Sequence, residues 1–409
     1  MRLPHPLAVY GSGLAMTEFD SLMVYFYIST AIFVGGIFII YWLHNQYHLD
    51  IVVTPTPPPT NAPLISVCVP ARNEERNIRA CVEAILAQDY PNFEVIVLED
   101  RSTDATSEIL HSLATQNSKL KVISGSELPK GWAGKPHALI QASAAARGAW
   151  LCFVDADTFL APTTLSSCYA KALETGADMF TIMTFQIMGS FWEKVVMPIV
   201  MTALSVGFSP RKVNDPKSKD AIANGQFILI KRSVYNAIGG HESVKDQIVE
   251  DKAIAEQVKW NGYRLIVANG YSVAGTRMYT SLPEMWEGWT KNIYLGLSDR
   301  PSLRLLGAFG AFVLLVAALI LPIWPPFGIY LYLHGGGVLA LTVILESLIL
   351  WAIVIYARLQ VAIGMRIAPW YAFTLPLGAA VFAAMMFTST WRIISGKGVA
   401  WKGRIYAQK

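Results

Sequence analysis

The sequence predicts an α/β domain with a mostly parallel central sheet, flanked by transmembrane and interfacial helices. Three observations carry this. Between residues 64 and 275, near-continuous apolar runs alternate with helical patterns, as in a sheet covered on both faces. The chain is 53% hydrophobic and 15% charged, against about 25% charged in an ordinary soluble domain, and the shortfall falls at the two ends. Polar clusters follow three of the strand runs, on the sheet edge where such sheets bind ligands.

The elements follow in order. Leu22–Leu43 is uncharged and long enough to cross a bilayer, which takes about 20 residues. It is too long for a signal-peptide core and no small-residue cleavage site follows. Tyr41 and Trp42 fall where an interfacial aromatic belt belongs. Residues 1–48 therefore read as a membrane anchor. Residues 49–63 read as a linker, with five prolines in Thr54–Pro63 making a stiff spacer that holds the next domain off the membrane.

Residues 64–275 form the α/β domain. Leu64–Val69 reads as a strand, Asn77–Gln88 as a helix, Phe93–Leu98 as a strand and Thr103–Ala114 as a helix opened by the cap signal RSTDAT. Lys121–Ile123 is a short strand, Lys135–Arg147 an Ala-rich helix and Trp150–Val154 a strand. Phe191–Phe208 turns apolar again but holds two charges and Pro198. It reads as an interfacial helix, with a core helix as the alternative. Asn224–Glu242 reads as strand, helix and glycine stop, and Val249–Ala268 as helix then strand. Residues 276–302 form an interfacial, acceptor-side segment. Residues 303–409 form a C-terminal membrane region with apolar runs at Leu303–Ile323, Val338–Tyr356 and Trp370–Thr390.

The charge pattern suggests orientation. Net charge is +4, and Arg358–Lys409 holds seven Lys/Arg and no Asp/Glu, which suits anionic lipid on the cytoplasmic face. The N-terminus is then outside and the α/β domain inside. Keeping the basic tail inside requires Trp370–Thr390 to be re-entrant, a broken hairpin near Pro376 and Gly378. The four cysteines show no metal or redox spacing; Cys68 and Cys152 read as core residues in a reduced, cytosolic setting. No GxGxxG follows a strand and GWAGKP is not a P-loop, which excludes those nucleotide folds. No nucleic-acid partner is expected.

The polar clusters carry the chemistry. Asp155 and Asp157 end a buried strand run one residue apart. Two such carboxylates suit a hard divalent ion, Mg²⁺ or Mn²⁺, shared with substrate phosphates. Asp100 ends another strand and can accept from ribose or base donors, or cap the next helix, with Arg72, Asn73 and Glu74 completing the pocket. Lys135 opens a helix against its dipole, which favours a ligand role such as diphosphate contact. Glu250 and Asp251 open another helix, where acids are welcome; one of them can act as general base toward an acceptor hydroxyl. His137 and His241 could touch phosphate or be structural.

In this order VPARNEE, LEDRSTDAT, GWAGKPHAL, FVDADT, NGQF and VEDKAIA resemble a family-2 glycosyltransferase of the nucleotide-diphospho-sugar (GT-A) fold. The resemblance covers roughly Leu64 to Arg300. The flanking anchors and WKGRIY resemble membrane-bound members acting on carotenoid, hopanoid or sphingolipid-like acceptors. It implies an inverting hexosyltransferase that moves one sugar from a nucleotide-diphospho-sugar, UDP by expectation, to a lipid. It implies that Arg72, Glu74, Asp100, Lys135 and Asp155 bind the nucleotide, that Asp155 and Asp157 hold the metal, and that Asp251 is the base. Asn224, Gln226, Glu250, Trp289 and Lys291 would lie on the acceptor and diphosphate side. Processive relatives carry Q-x-x-R-W; here WEGWTKNIY (Trp286–Tyr294) stands in that place without an Arg-Trp pair, with Trp289, Lys291 and Asn292 as its candidates. That disfavours a polysaccharide synthase. A non-catalytic membrane scaffold with a degenerate transferase domain, or a nucleotidyltransferase, would also be compatible with the fold, but the intact acid pairs speak against the scaffold.

Overall fold

A computed structural model describes residues 12–46, 49–296, 301–395, 399–401 and 404–406. The chain divides into two compact units. One comprises Met1–Asn45 and Gly310–Ala383, the other Gln46–Phe309 and Ala384–Lys409.

The α/β unit follows the predicted alternation. The first elements are β1 Ile65–Ala71, α2 Ile78–Leu86, β2 Phe93–Glu99, α3 Thr106–Gln116, β3 Leu120–Ser124, α4 Gly134–Ala145 and β4 Trp150–Phe153, after the N-terminal helix α1 Ser12–Gln46. Then come β5 Thr158–Leu160, α5 Thr164–Thr175, β6 Met179–Met183, β7 Phe185–Gln186, α6 Phe191–Gly207 and α7 Pro210–Asn214. The unit continues with β8 Ile228–Lys231, α8 Arg232–Ala237, α9 Glu250–Trp260, β9 Leu265–Asn269, β10 Ala274–Thr276 and α10 Leu282–Gly296.

The central sheet has the order β3-β2-β1-β4-β8-β6-β9, and β5-β10-β7 form a small second sheet. β1 pairs parallel with both β2 and β4, while β8 runs antiparallel between β4 and β6. β1 and β4 are almost wholly buried because core lies on both faces. On one face pack Ile78, Val82 and Ile85 of α2 and Leu110 of α3; on the other, Ala138, Leu139 and Ala142 of α4. Strand order reverses between β1 and β4, so their parallel C-terminal ends open a crevice. All four cysteines are free and buried, as expected of core residues.

Three expectations change. The start of the linker is not a free spacer. Val53 is buried, its N–H donates to Asn269 O at 2.8 Å, and Thr56 N donates to Ser167 Oγ at 2.9 Å. Residues 51–53 thus lie along the open edge of β9, where unpaired backbone groups gain partners, and Thr56 is tied to α5. In α6 the N-terminal half is core, with Val195, Val196 and Val200 buried, while Leu204 beyond Pro198 is exposed. Its start is fixed by a capping box between Ser190 and Glu193. The broken hairpin near Pro376 and Gly378 is absent, since α14 runs unbroken over Leu375–Ile394. The irregular turn comes earlier, at Pro369–Thr374, and Pro376 falls in the first helical turn, where its missing N–H costs nothing.

The helical unit also draws on α11 Pro301–Ile320, α12 Trp324–Leu331 and α13 Gly337–Gly364; β11 Val399–Trp401 and β12 Arg404–Tyr406 end the described chain. Among the described residues, three helical stretches are long and apolar enough to cross a membrane: Ser21–Ile39, Ala308–Gly364 and Pro369–Arg392. The second contains a reversal, with Gly335 and Gly337 at φ +92° and +52°. Glu346 in α13 accepts from Ser29 Oγ and Thr30 Oγ1, each at 2.8 Å, so both carboxylate oxygens are bonded to α1. An acid in an apolar span is costly unless bonded in this way. Lys397, Lys402 and Lys409, and the side chains of Arg404 and Asn292, lie outside the described residues.

Candidate active site

The crevice at the strand ends is a cleft of about 560 Å³. Arg72, Glu74, Asp100, Lys135, Asp155, Asp157, Asn224, Gln226, Glu250, Asp251 and Lys291 all line it, so residues 219 positions apart in the chain meet in one place.

Two loops form one end. Asn73 and Arg101 are held at φ 52° and 56°, in the left-handed region that non-glycine residues rarely adopt. They are stitched together: Asn73 Oδ1 accepts from Thr103 N at 2.9 Å, and Asn73 N donates to Ser102 Oγ at 3.1 Å. Arg72 donates to the carbonyls of Asp100 and Arg101 at 2.6 and 3.0 Å. Asp104 takes the local turn-forming role near α3, accepting from Thr106 N at 3.0 Å and Glu75 N at 3.1 Å. Asp100 is buried at the cleft wall.

At the centre, Lys135 answers the acid pair. Its Nζ lies 2.6 Å from Asp155 Oδ1 and 2.7 Å from Glu250 Oε1. Burial works against the ammonium, but Asp155, Glu250 and Asp251 outweigh it and hold its pKa well above the usual lysine value. Burial also disfavours the charge on Glu250, and Lys135 reverses this, leaving the carboxyl below its ordinary value. The mild misfit of a lysine at a helix start is thereby explained, because carboxylates from β4 and α9 offset the dipole.

Asp251 differs from its neighbour. Burial, then repulsion from Glu250, push its carboxyl up to about 6. Gly225 N donates to its Oδ2 at 3.0 Å and Lys252 N to its Oδ1 at 2.8 Å, which fixes its orientation. A Cβ built on Gly225 would stand 2.9 Å from Lys135 Nζ, 3.2 Å from Asp251 Oδ2 and 3.3 Å from Asp155 Oδ2. Bare backbone is thus needed where the charged groups converge.

Asn224 and Gln226 reach the cleft but spend their amides on the fold. Asn224 Nδ2 donates to Ile182 O at 3.0 Å and to Gln226 Oε1 at 3.1 Å. Gln226 Oε1 also accepts from Thr184 Oγ1. Together they set the loop that presents Gly225 N. Lys291 enters from α10, where Glu284, Glu287 and Lys291 share one helical face. Burial brings its ammonium down to about 8 despite the carboxylates of Glu250, Asp155 and Asp251. The position of α10 is fixed by Ser389 Oγ, which donates to Thr290 O at 2.7 Å.

Trp289 does not line the cleft. It is buried behind Tyr279, with ring centroids 6.1 Å apart, and Tyr279 forms the wall. Gly288 makes this possible, since a Cβ there would collide with the Tyr279 hydroxyl. The two histidines are structural. His137 sits against Trp132 at 5.4 Å. His241 is packed on Phe153, bonds Tyr235 OH at 2.8 Å, and is pushed down to about 3 by burial. Neither lines the cleft.

Arg76, Tyr279 and Glu284 were missed by sequence reasoning. Arg76 pairs with Glu284 at 3.1 Å and donates to Thr280 Oγ1 at 3.0 Å, which ties the loop after β1 to the start of α10 across 208 residues. Only the S-L-P-E start of α10, a helix-opening pattern, marked Glu284 locally.

A divalent cation fits this donor set. Asp155 and Asp157 would offer it hard oxygen ligands in the cleft, beside Gly225, which brings no side chain of its own. Among the described residues no three His, Cys, Asp or Glu side chains form a ligand group, so water and phosphate oxygens would complete the shell.

Comparison with known proteins agrees with this architecture. Residues 66–239 match the family described as Glycosyl transferase family 2. The chain carries a glycosyl transferase family 2 domain. It is similar to the 4,4'-diaponeurosporenoate glycosyltransferase of Staphylococcus aureus strain USA300, at 30% identity over 241 residues, 58% of this chain and 62% of the relative. The strain MRSA252 protein of that name is 28% identical over 239 residues, with the same coverage. The matched region therefore spans about 62% of the length of these curated relatives. Among solved structures, the mannosyltransferase PcManGT from Pyrobaculum calidifontis, in complex with GDP-Man and Mn²⁺, superposes with a TM-score of 0.52 at 19% identity, covering 91% of this chain and 98% of that one. The family 2 domain thus has the GT-A fold.

Proposed function

We propose that the protein is an inverting glycosyltransferase that moves one sugar from a nucleotide-diphospho-sugar to a hydroxyl or carboxyl group of a membrane lipid. The observation that carries this reading is Asp251. It is a carboxylate fixed by two backbone N–H groups, raised to about 6, and set in one cleft with Asp155 and Asp157. A base with that pKa is ionised at neutral pH yet still accepts a proton readily.

In this reading the Asp100 end takes the nucleoside, with Arg72 bracing the loop and Glu74 lining the pocket. Asp155 and Asp157 would hold Mg²⁺ or Mn²⁺ against the diphosphate; when bound, the ion would offset charge on the departing group. Lys135 and Lys291 add positive charge on the same side. Asp251 takes the proton of an acceptor hydroxyl as it attacks the anomeric carbon. Displacement is direct, so configuration inverts. The similarity to a glycosyltransferase named for a carotenoid-type acceptor supports a lipid acceptor. The apolar helical stretches support a membrane setting, and the positive-inside pattern supports a cytoplasmic catalytic face. Fixing a soluble donor and a lipid acceptor side by side is where such a site gains most.

The test is transfer of radiolabel from UDP-glucose into chloroform-soluble product. Membranes containing the protein and the host's total lipid are assayed with Mn²⁺ or EDTA, beside Asp251→Asn. Label that needs both the metal and Asp251 is the expected result. No label from any nucleotide sugar would overturn the proposal and favour a membrane scaffold.

A further inference from the structure

We propose that Lys135 is the resident counter-ion of the acid cluster and a gate on metal binding. It occupies Asp155 until a nucleotide diphosphate arrives, so the metal binds only together with the donor. This rests on the nucleotide-sugar reading given above and adds an order of events to it.

The geometry points to competition. Lys135 Nζ is at hydrogen-bond distance from Asp155 Oδ1, 2.6 Å, and from Glu250 Oε1, 2.7 Å. The bare Gly225 position lies within 3.3 Å of this ammonium, of Asp155 Oδ2 and of Asp251 Oδ2. The lysine therefore holds the point where three carboxylates converge. A divalent ion ligated by Asp155 would meet an ammonium on the same carboxylate, and like charges at that spacing repel strongly.

The protein alone offers the metal little in exchange. Among the described residues no three acidic, histidine or cysteine side chains form a ligand group. Metal arriving without donor must compete with Lys135 for Asp155 and fill its remaining positions with water. Metal arriving with a diphosphate gains phosphate oxygens, and the same oxygens offer Lys135 a charge-assisted bond in place of Asp155.

Lys135 is built to move between the two. It follows Gly134 in the first turn of α4, its flexible stem reaches the cleft, and its side chain is 34% exposed. Its second partner, Glu250, is 6% exposed and lies at the start of α9. The Lys135–Glu250 pair can persist as a pivot while Asp155 is released.

The test is Mn²⁺ binding to the full-length protein in nanodiscs, read by electron paramagnetic resonance with and without UDP. Wild type is expected to bind Mn²⁺ weakly alone and much more tightly with UDP. Lys135→Met should tighten UDP-free Mn²⁺ binding by roughly 10- to 100-fold, the scale of effect for groups bonded to metal ligands. It should also shrink the gain from adding UDP. Lys135→Arg should stay weak without UDP. Lys291→Met removes a cation facing the same carboxylates and separates displacement from a general field effect. Equal tightening in the two Met variants, or none in Lys135→Met, would overturn the gate while leaving Mn²⁺–UDP binding, and hence the transferase reading, intact. Absence of any Mn²⁺–UDP binding in wild type would overturn both. Should Lys135→Met not fold, Lys135→Gln carries the same expectation, because it removes the charge and keeps a shorter, polar side chain in the cleft.

Discussion

Asp251→Asn should remove transfer activity and, at alkaline pH, stabilise the protein. The carboxyl is raised from 3.8 to about 6, so its folded form holds the proton more tightly than its unfolded form. Such a group weakens folding as pH climbs from about 4 to just above 6, and the full burden is present at pH 8. Two pKa units correspond to about 3 kcal/mol, a ceiling because Asp251 is half-buried. Asparagine carries no charge, but it offers one oxygen where aspartate offers two. Either Gly225 N or Lys252 N then loses its acceptor, at a cost of about 1–2 kcal/mol. The net gain at pH 8 is about 1–2 kcal/mol, or a rise in Tm of roughly 2–6 °C. At pH 4 most of the ionic burden is gone from wild type, and the variant should be the less stable by about 1 kcal/mol. Thermal unfolding in nanodiscs from pH 4 to 8 reads this crossing. In parallel, wild-type kcat/KM should rise with pH up to about 6 and then level, while the variant falls by roughly 10²- to 10⁴-fold. A stability difference that does not change with pH, or a variant that keeps its activity, would refute the assignment of Asp251 as a strained, ionised base.

Two further perturbations separate site from scaffold. Gly225→Ala places a methyl group 2.9 Å from Lys135 Nζ and 3.2 Å from Asp251 Oδ2. Folding stability should change by less than about 1 kcal/mol, because Gly225 is not at positive φ, while donor affinity, read by calorimetric titration, drops about tenfold or more. Lys259 donates to the carbonyls of Val213, Asp215 and Asp220 at 2.7–3.0 Å, and Lys259→Met should cost about 2 kcal/mol in thermal unfolding while leaving the pH dependence of transfer unmoved.

The fold was legible where burial dictates residue type. Strands covered on both faces must be apolar throughout, and β1, β2 and β4 read as such. The direction of a strand leaves no such mark. Ile228–Lys231 is the same apolar run whichever way it points, so the antiparallel β8 was invisible, as was the second sheet with its strands of two and three residues. Pro376 misled because a proline reads as a breaker out of context, whereas at a helix start it is neutral. The proline-rich linker misled for a related reason. Stiffness is a property of the chain alone, but docking of residues 51–53 depends on the free edge of β9, formed more than 200 residues later.

The site was legible by the same rule. Asp100, Asp155, Glu250 and Asp251 sit at strand ends and helix starts, places that local pattern can find. Roles that depend on a distant partner were not. Arg76 is one charge among several until Glu284 arrives on α10, and Trp289 looks like a site residue until Tyr279 is seen in front of it. Glu250 and Asp251 show the limit most sharply. Adjacent in sequence and identical in charge, they are driven apart in pKa because Lys135 reaches only one of them within bonding distance. The acid that keeps the lysine is stabilised as a charge and becomes structural. The other acid is raised by burial and then by repulsion from Glu250, against the pull of Lys135, so one helix start holds two carboxyls of different basicity.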